Sequence, residues 1–136
     1  MVFITPHHVG VSVADLEASI AWYERMLGFT LDERVEIAAI PARIAFLKRG
    51  AFRIELFEVA GAAPLPDDRR APNKDLRTHG TKHLAFSTPD VPALVKDLKA
   101  RGADVAMEAI IQGNPVAFVR DNTGNLIEFV TEAAFQ

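Results

Sequence analysis

The stretch His7–Phe29, HHVGVSVADLEASIAWYERMLGF, changes periodicity midway, and that change decides the fold. Val9, Val11 and Val13 alternate with His8, Gly10 and Ser12, the period-two pattern of a half-buried strand, here read over residues 5–13. Asp15 then stands where a helix begins, its carboxylate available to backbone N–H groups of the first turn. Leu16, Ile20, Tyr23 and Leu27 recur at helical spacing, and Gly28 supplies a left-handed stop. Three further strands are predicted near 29–37, 42–48 and 51–59, with Arg49-Gly50 turning between the last two.

The same grammar returns in KHLAFSTPDVPALVKDLKARGAD, residues 82–104. The interval from His8 to Asp15 equals that from His83 to Asp90, 7 residues in each. Gly28 lies 27 residues before Glu55, and Gly102 lies 26 before Glu128. A strand near 82–88 leads to a helix capped by Asp90, with Pro92 in its first turn, where no N–H is needed. Val91, Leu94, Val95 and Leu98 form its apolar stripe. Strands follow near 103–110, 115–120 and 125–131, the last two joined by the turn Asn122-Thr123-Gly124-Asn125. Letter identity between the halves is low, but order and spacing agree, the mark of a repeat.

Residues 1–136 are therefore expected to be one domain of two modules, 1–60 and 82–136, joined by a loop over 61–81. That connection carries Pro64, Pro66, Pro72 and the cluster Asp67-Asp68-Arg69-Arg70. A loop this long is a lid, a binding segment or an ordinary linker. His79 and the pairs Lys48-Arg49 and Arg69-Arg70 read as solvated charges, the pairs also being able to meet an anionic substrate.

Composition narrows the chemistry. The chain is 49% hydrophobic, 24% charged, carries a net charge of −3, and has no cysteine. Disulfides and thiolate metal sites are excluded together, so any metal must use His, Asp or Glu. No basic run points to nucleic acid, and no apolar stretch is long enough to span a membrane. The beginning MVFITPHHVGVSV lacks a basic segment followed by a long apolar core, so a cytoplasmic location is expected.

Strand alternation then groups four side chains. If the valines of strand one pack under the helix, His8 points the other way, and His83 does the same opposite Leu84 and Phe86. In FRIELFEV, Ile54 and Leu56 belong to the helix side and Glu55 to the other; in NLIEFV, Ile127 and Phe129 are inward and Glu128 opposes them. Each half thus offers a His and a Glu on the face away from its helix. Two carboxylates brought together repel, and a divalent cation removes that penalty. Imidazole with carboxylate suits Zn, Ni, Co, Mn or Fe(II). A lone His or Glu would carry little weight; Arg53, two residues from Glu55, offers a salt bridge as the competing explanation there. His7 competes with His8, but only His8 keeps the interval to Asp shared with His83.

The segments His7–Phe29, FRIELFEV, TKHLAFSTPDVPALVKDLKARGADV and VRDNTGNLIEFV together resemble the vicinal-oxygen-chelate superfamily, which includes glyoxalase I, methylmalonyl-CoA epimerase, extradiol dioxygenases and bleomycin resistance proteins. The resemblance covers nearly the whole chain. It implies an α+β fold of two βαβββ modules forming an open, cup-like mixed barrel, with one divalent metal held by His8, Glu55, His83 and Glu128. The full His-Glu-His-Glu set is similar to that of bacterial glyoxalase I. It implies a metal-dependent, lactoylglutathione lyase-like lyase or isomerase acting on a small molecule, with Glu128 and Glu55 as catalytic carboxylates. Extradiol dioxygenases use two His and one Glu, and bleomycin-binding members lack the metal set; an Fe(II) dioxygenase and a non-enzymatic binding protein are the alternatives. Epimerases tend to carry a further base on the strand before Glu55, and Ala42–Leu47 has no carboxylate. The resemblance also implies a homodimer.

Overall fold

The computed structural model describes residues 2–133. The chain divides into two compact units at Pro64/Leu65, so each predicted module lies within one unit.

In the first unit, β1 (Val9–Ser12) leads to α1 (Leu16–Leu27), then β2 (Thr30–Val35), β3 (Ala42–Arg49) and β4 (Phe52–Val59). The sheet order is β1-β4-β3-β2, with β1 parallel to β4 and the other pairs antiparallel. The expected caps are present. Asp15 accepts a hydrogen bond from the Ala18 N–H at 3.0 Å. Gly28 ends the helix at φ +68°, a left-handed conformation that favours glycine, and a Cβ there would have to displace the Arg49 guanidinium. Arg49 uses that space to donate to the Leu27 carbonyl at 3.0 Å. A cation at this end also faces the negative pole of the helix. Arg49 is thus a C-terminal cap, where the sequence suggested a solvated charge.

The buried side of α1 carries Leu16, Ile20, Tyr23 and also Trp22 and Met26, so the stripe is wider than the spacing alone suggests; Leu27 is only half-buried. It packs with Ala45, Leu47, Ile54 and Leu56, all fully buried, to make the unit's core. Tyr23 meets Trp22 and Phe29 edge-on, which adds aromatic contact to plain burial.

The second unit repeats this plan with β5 (Leu84–Thr88), α3 (Val91–Ala100), β6 (Asp104–Ile111), β7 (Asn114–Arg120) and β8 (Leu126–Thr131), in sheet order β5-β8-β7-β6. Asp90 accepts from Ala93 N–H at 3.0 Å. Val91, Val95 and Leu98 are buried with Ala117, Val119, Ile127 and Phe129. The β7–β8 turn is held by Asp121, whose Oδ1 accepts from the N–H groups of Thr123, Gly124 and Asn125, each at 2.9 Å. Gly124 sits there at φ +108°, as the sequence required.

Two differences from the sequence reading bear on the site. The first strands are shorter, beginning at Val9 and Leu84, because the parallel ladders start at Val9↔Ile54 and Leu84↔Ile127. His8 and His83 therefore each stand one residue ahead of a strand. The connection over 61–81, expected as a loop, contains a 3-10 turn (Asp67–Arg70) and the one-turn helix α2 (Pro72–Asp75). Pro72 opens α2, where a missing N–H costs nothing.

Candidate metal centre

Parallel pairing places each glutamate beside the strand that follows its histidine. Glu55 lies across from Gly10 on β1 and from Phe46 on β3. Glu128 lies across from Ala85 on β5 and from Phe118 on β7. Since alternate residues share a face, His8 with Gly10 and His83 with Ala85 fall on the same side as these carboxylates. In the first unit, His8 Nε2 lies 4.0 Å from Glu55 Oε1. In the second, His83 Nε2 lies 2.9 Å from Glu128 Oε2. Both glutamates are partly buried, at 23% and 16% side-chain exposure, so each is largely withdrawn from water.

Each imidazole rests edge-on against a phenylalanine: His8 on Phe46 at 5.0 Å and His83 on Phe118 at 5.1 Å between ring centres. Alternation alone reads Phe118 as a core side chain rather than a wall of the site, and it does not single out Phe46. The signal was available, since Phe46 precedes Glu55 by 9 residues and Phe118 precedes Glu128 by 10, another matched interval of the repeat.

The competing explanation for Glu55 is removed by where Arg53 goes. Arg53 donates to Asp32 Oδ2 at 2.9 Å and Glu33 Oε1 at 3.4 Å, and its guanidinium lies over the Phe46 ring at 4.5 Å. Lys48 also pairs with Asp32, at 3.2 Å. The Lys48 hydrogen bond foremost, opposed by desolvation and aided by Arg53, holds the Asp32 carboxyl below its ordinary value. Among the described residues, neither Glu55 nor Glu128 has a lysine or arginine partner.

His7 and His8 share a hydrogen bond between their Nδ1 atoms at 2.6 Å, so one ring carries a proton there. That leaves His8 Nε2 as the nitrogen turned to Glu55. Each unit therefore presents a pair of ligand-type side chains, His8 with Glu55 and His83 with Glu128. Among the described residues no cluster of three or more His, Asp or Glu side chains able to hold a metal is gathered. No helix among them is long and apolar enough to cross a membrane.

A βαβββ unit present twice, each copy with a His–Glu pair on the face its strands leave free, defines a class of duplicated-module proteins. The chain belongs to the Glyoxalase/Bleomycin resistance protein/Dioxygenase superfamily, whose pattern matches residues 5–129. It is 31% identical to the lactoylglutathione lyase of Haemophilus influenzae, over 90% of this chain and 89% of that protein. It is 28% identical to human mitochondrial methylmalonyl-CoA epimerase, over 90% of this chain and 70% of that protein. The glyoxalase family protein of Enterococcus faecalis has a similar fold, with a TM-score of 0.79 at 21% identity, covering 96% of this chain and 99% of that one.

Proposed function

We propose that this protein is a metal-dependent, glyoxalase-like lyase or isomerase. In this reading His8, Glu55, His83 and Glu128 hold one divalent ion and act on a small substrate with two neighbouring oxygens. The observation that carries it is the double occurrence of one arrangement: an imidazole and a carboxylate with no lysine or arginine counter-ion, over a phenylalanine ring, in both units. A half-buried carboxylate without a cationic side chain is costly, and a divalent ion offsets that cost. The donor set, two imidazoles and two carboxylates, fits Zn, Ni, Co, Mn or Fe(II).

The ion would supply Lewis acidity, drawing charge from the two substrate oxygens and so stabilising an enediolate-type species. The proton is the task of the protein's carboxylates. Glu55 is the looser of the two, being farther from its histidine. Gly10 opposite it carries no side chain, and a Cβ there would stand 3.6 Å from Glu55 Oε1. Either carboxylate, loosened from the ion, would take a proton from carbon and hand it back, Glu55 being held less closely to its histidine than Glu128. Delivery to the adjacent carbon gives isomerisation; return to the same carbon from the opposite face gives epimerisation. β3 offers Phe46 across from Glu55 and contains no carboxylate, so it lacks the additional base that epimerases of this superfamily tend to use. Proton delivery to the adjacent carbon is therefore favoured over epimerisation.

The test is metal analysis of freshly purified protein, followed by rates with hemithioacetals, acyl-CoA thioesters and catechols before and after chelation. The expected result is a stoichiometric divalent ion, turnover of a hemithioacetal that chelation abolishes, and a folded but inactive Glu128→Gln variant. Wild-type rates in Glu128→Gln would overturn the assignment. Bound iron with oxygen consumption on catechols would replace it with ring cleavage, and ligand binding indifferent to chelation would replace it with a binding protein.

A further inference from the structure

The segment just before His83 has no regular secondary structure, yet it is tied down by a buried ionic cluster, of which the sequence reading singled out only Arg69, as a solvated charge. Asp75, at the end of α2, is 1% exposed. Arg69 Nε stands 2.5 Å from its Oδ1 as an ion pair without an aligned hydrogen bond. Lys82 Nζ approaches the same oxygen at 3.2 Å and also donates to the Asp75 carbonyl at 2.7 Å and to the Thr78 carbonyl. Arg69 Nη2 donates to the Thr81 carbonyl at 2.8 Å. One carboxylate thus gathers two cations, and between them they fix residues 78, 81 and 82, up to the peptide that begins His83. The other side of this segment is held as well: Arg120 Nε donates to the Arg70 carbonyl at 2.7 Å.

Asp75 Oδ2 is buried without a hydrogen-bond partner, a costly condition for a carboxylate. An apolar residue would spare that cost, whereas only a charge draws Arg69 and Lys82 to one point. The first unit shows what happens without such a cluster. His8 follows residues 2–7, all exposed, and stands 4.0 Å from its glutamate, whereas His83 stands 2.9 Å from its own.

We propose that Asp75 is a positioning residue for the metal site: through Lys82 and Arg69 it holds the backbone that sets His83 against Glu128, making the second pair the preformed half of the site. The inference rests on the reading given under Proposed function. Outer partners that orient a ligand typically change metal affinity by about 10–100-fold when removed.

The experiment is titration of the metal-free full chain with Co²⁺, read by its visible absorption bands, alongside amide hydrogen exchange without metal. Asp75→Asn keeps the shape and removes the charge; Lys82→Met removes the cation and keeps the stem, should Asp75→Asn fold poorly. Val95→Ala, in the buried face of α3, is the control for general loss of stability. The expected result is Co²⁺ binding about 10–100-fold weaker in Asp75→Asn and Lys82→Met. Faster exchange at Lys82, His83 and Leu84 accompanies it, while Val95→Ala binds as wild type. Wild-type affinity in both cluster variants, with binding lost in His83→Ala, would overturn this inference and leave the metal reading intact. Equal weakening in Val95→Ala would reduce Asp75 to a stabilising role and overturn it too. Failure of the wild-type chain to bind Co²⁺ would overturn both.

Discussion

The two units build the same sheet from different surroundings. α1 spans 12 residues and ends on a left-handed glycine beneath the Arg49 guanidinium; α3 spans 10 and is opened by Asp90 and Pro92. The fully buried positions correspond in kind: Ala45, Leu47, Ile54 and Leu56 in one, Ala117, Val119 and Ile127 in the other, joined there by the nearly buried Phe129. The polar supports do not correspond. Both units carry exposed pairs, Glu17 with Arg34 and Arg43 in the first and Lys99 with Glu108 in the second, but only the second has carboxylates that are buried among its described residues, Asp75 and Asp121; the first offers the half-buried Glu58, which accepts from the Leu16 N–H. Duplication has kept the apolar frame and let the fastenings diverge, and the tighter His–Glu pair belongs to the unit with the buried fastenings.

The widest effect should come from the shared frame. Ile54→Ala and Ile127→Ala each remove a fully buried side chain next to a candidate ligand and should each cost roughly 2–5 kcal/mol in urea unfolding. Similar losses would support equivalence of the two cores; a loss below about 1 kcal/mol at one site would break it. Asp121→Ala comes next. It strands three backbone donors of the β7–β8 turn and should cost about 1–3 kcal/mol, for which the first unit has no parallel in its short Gly50-Ala51 turn. No loss on substitution would place the fastening elsewhere.

The smallest effect concerns the exposed pairs. Hydrogen bonding from Arg34 foremost, with charge from Arg34 and Arg43, holds the Glu17 carboxyl below its ordinary value of 4.5. A lowered folded value means that its contribution is complete above the ordinary value and fades as acid brings pH down through the folded one. Glu17→Gln should therefore flatten the acid limb of the stability profile slightly and leave neutral stability nearly unchanged, since such surface pairs are weak and screened. A neutral-pH loss as large as that from Asp121→Ala would contradict the contrast between exposed and buried fastenings.

The frame was legible because alternation and helical spacing report directly on what must leave water. Both helix caps, all eight strands and the free-face placement of Glu55 and Glu128 could be read from intervals around His8, Asp15, His83 and Asp90. The histidines were legible as members of a repeat, although the strands begin later than alternation suggests, at Val9 rather than residue 5 and at Leu84 rather than residue 82, because only the parallel ladder marks where pairing starts. What stayed hidden was polar and non-local. Arg69 read as a solvated charge, and Asp75 and Lys82 were not singled out, since nothing in their order tells that a one-turn helix folds the carboxylate inward. Arg53 likewise looked like a partner for Glu55, two residues away, when its partners lie across β3 on β2.

A last consequence follows from a register slip that both units share. The ladder shifts between Leu31 and Glu33 on β2 and between Val105 and Met107 on β6, in each case on the terminal strand of a sheet and early in that strand. An extra residue there kinks the ribbon and spoils the straight row of amides that a stray chain would otherwise zip onto. The same irregularity that loosens the local ladder thus makes the terminal strand of each sheet a poorer template for a further strand.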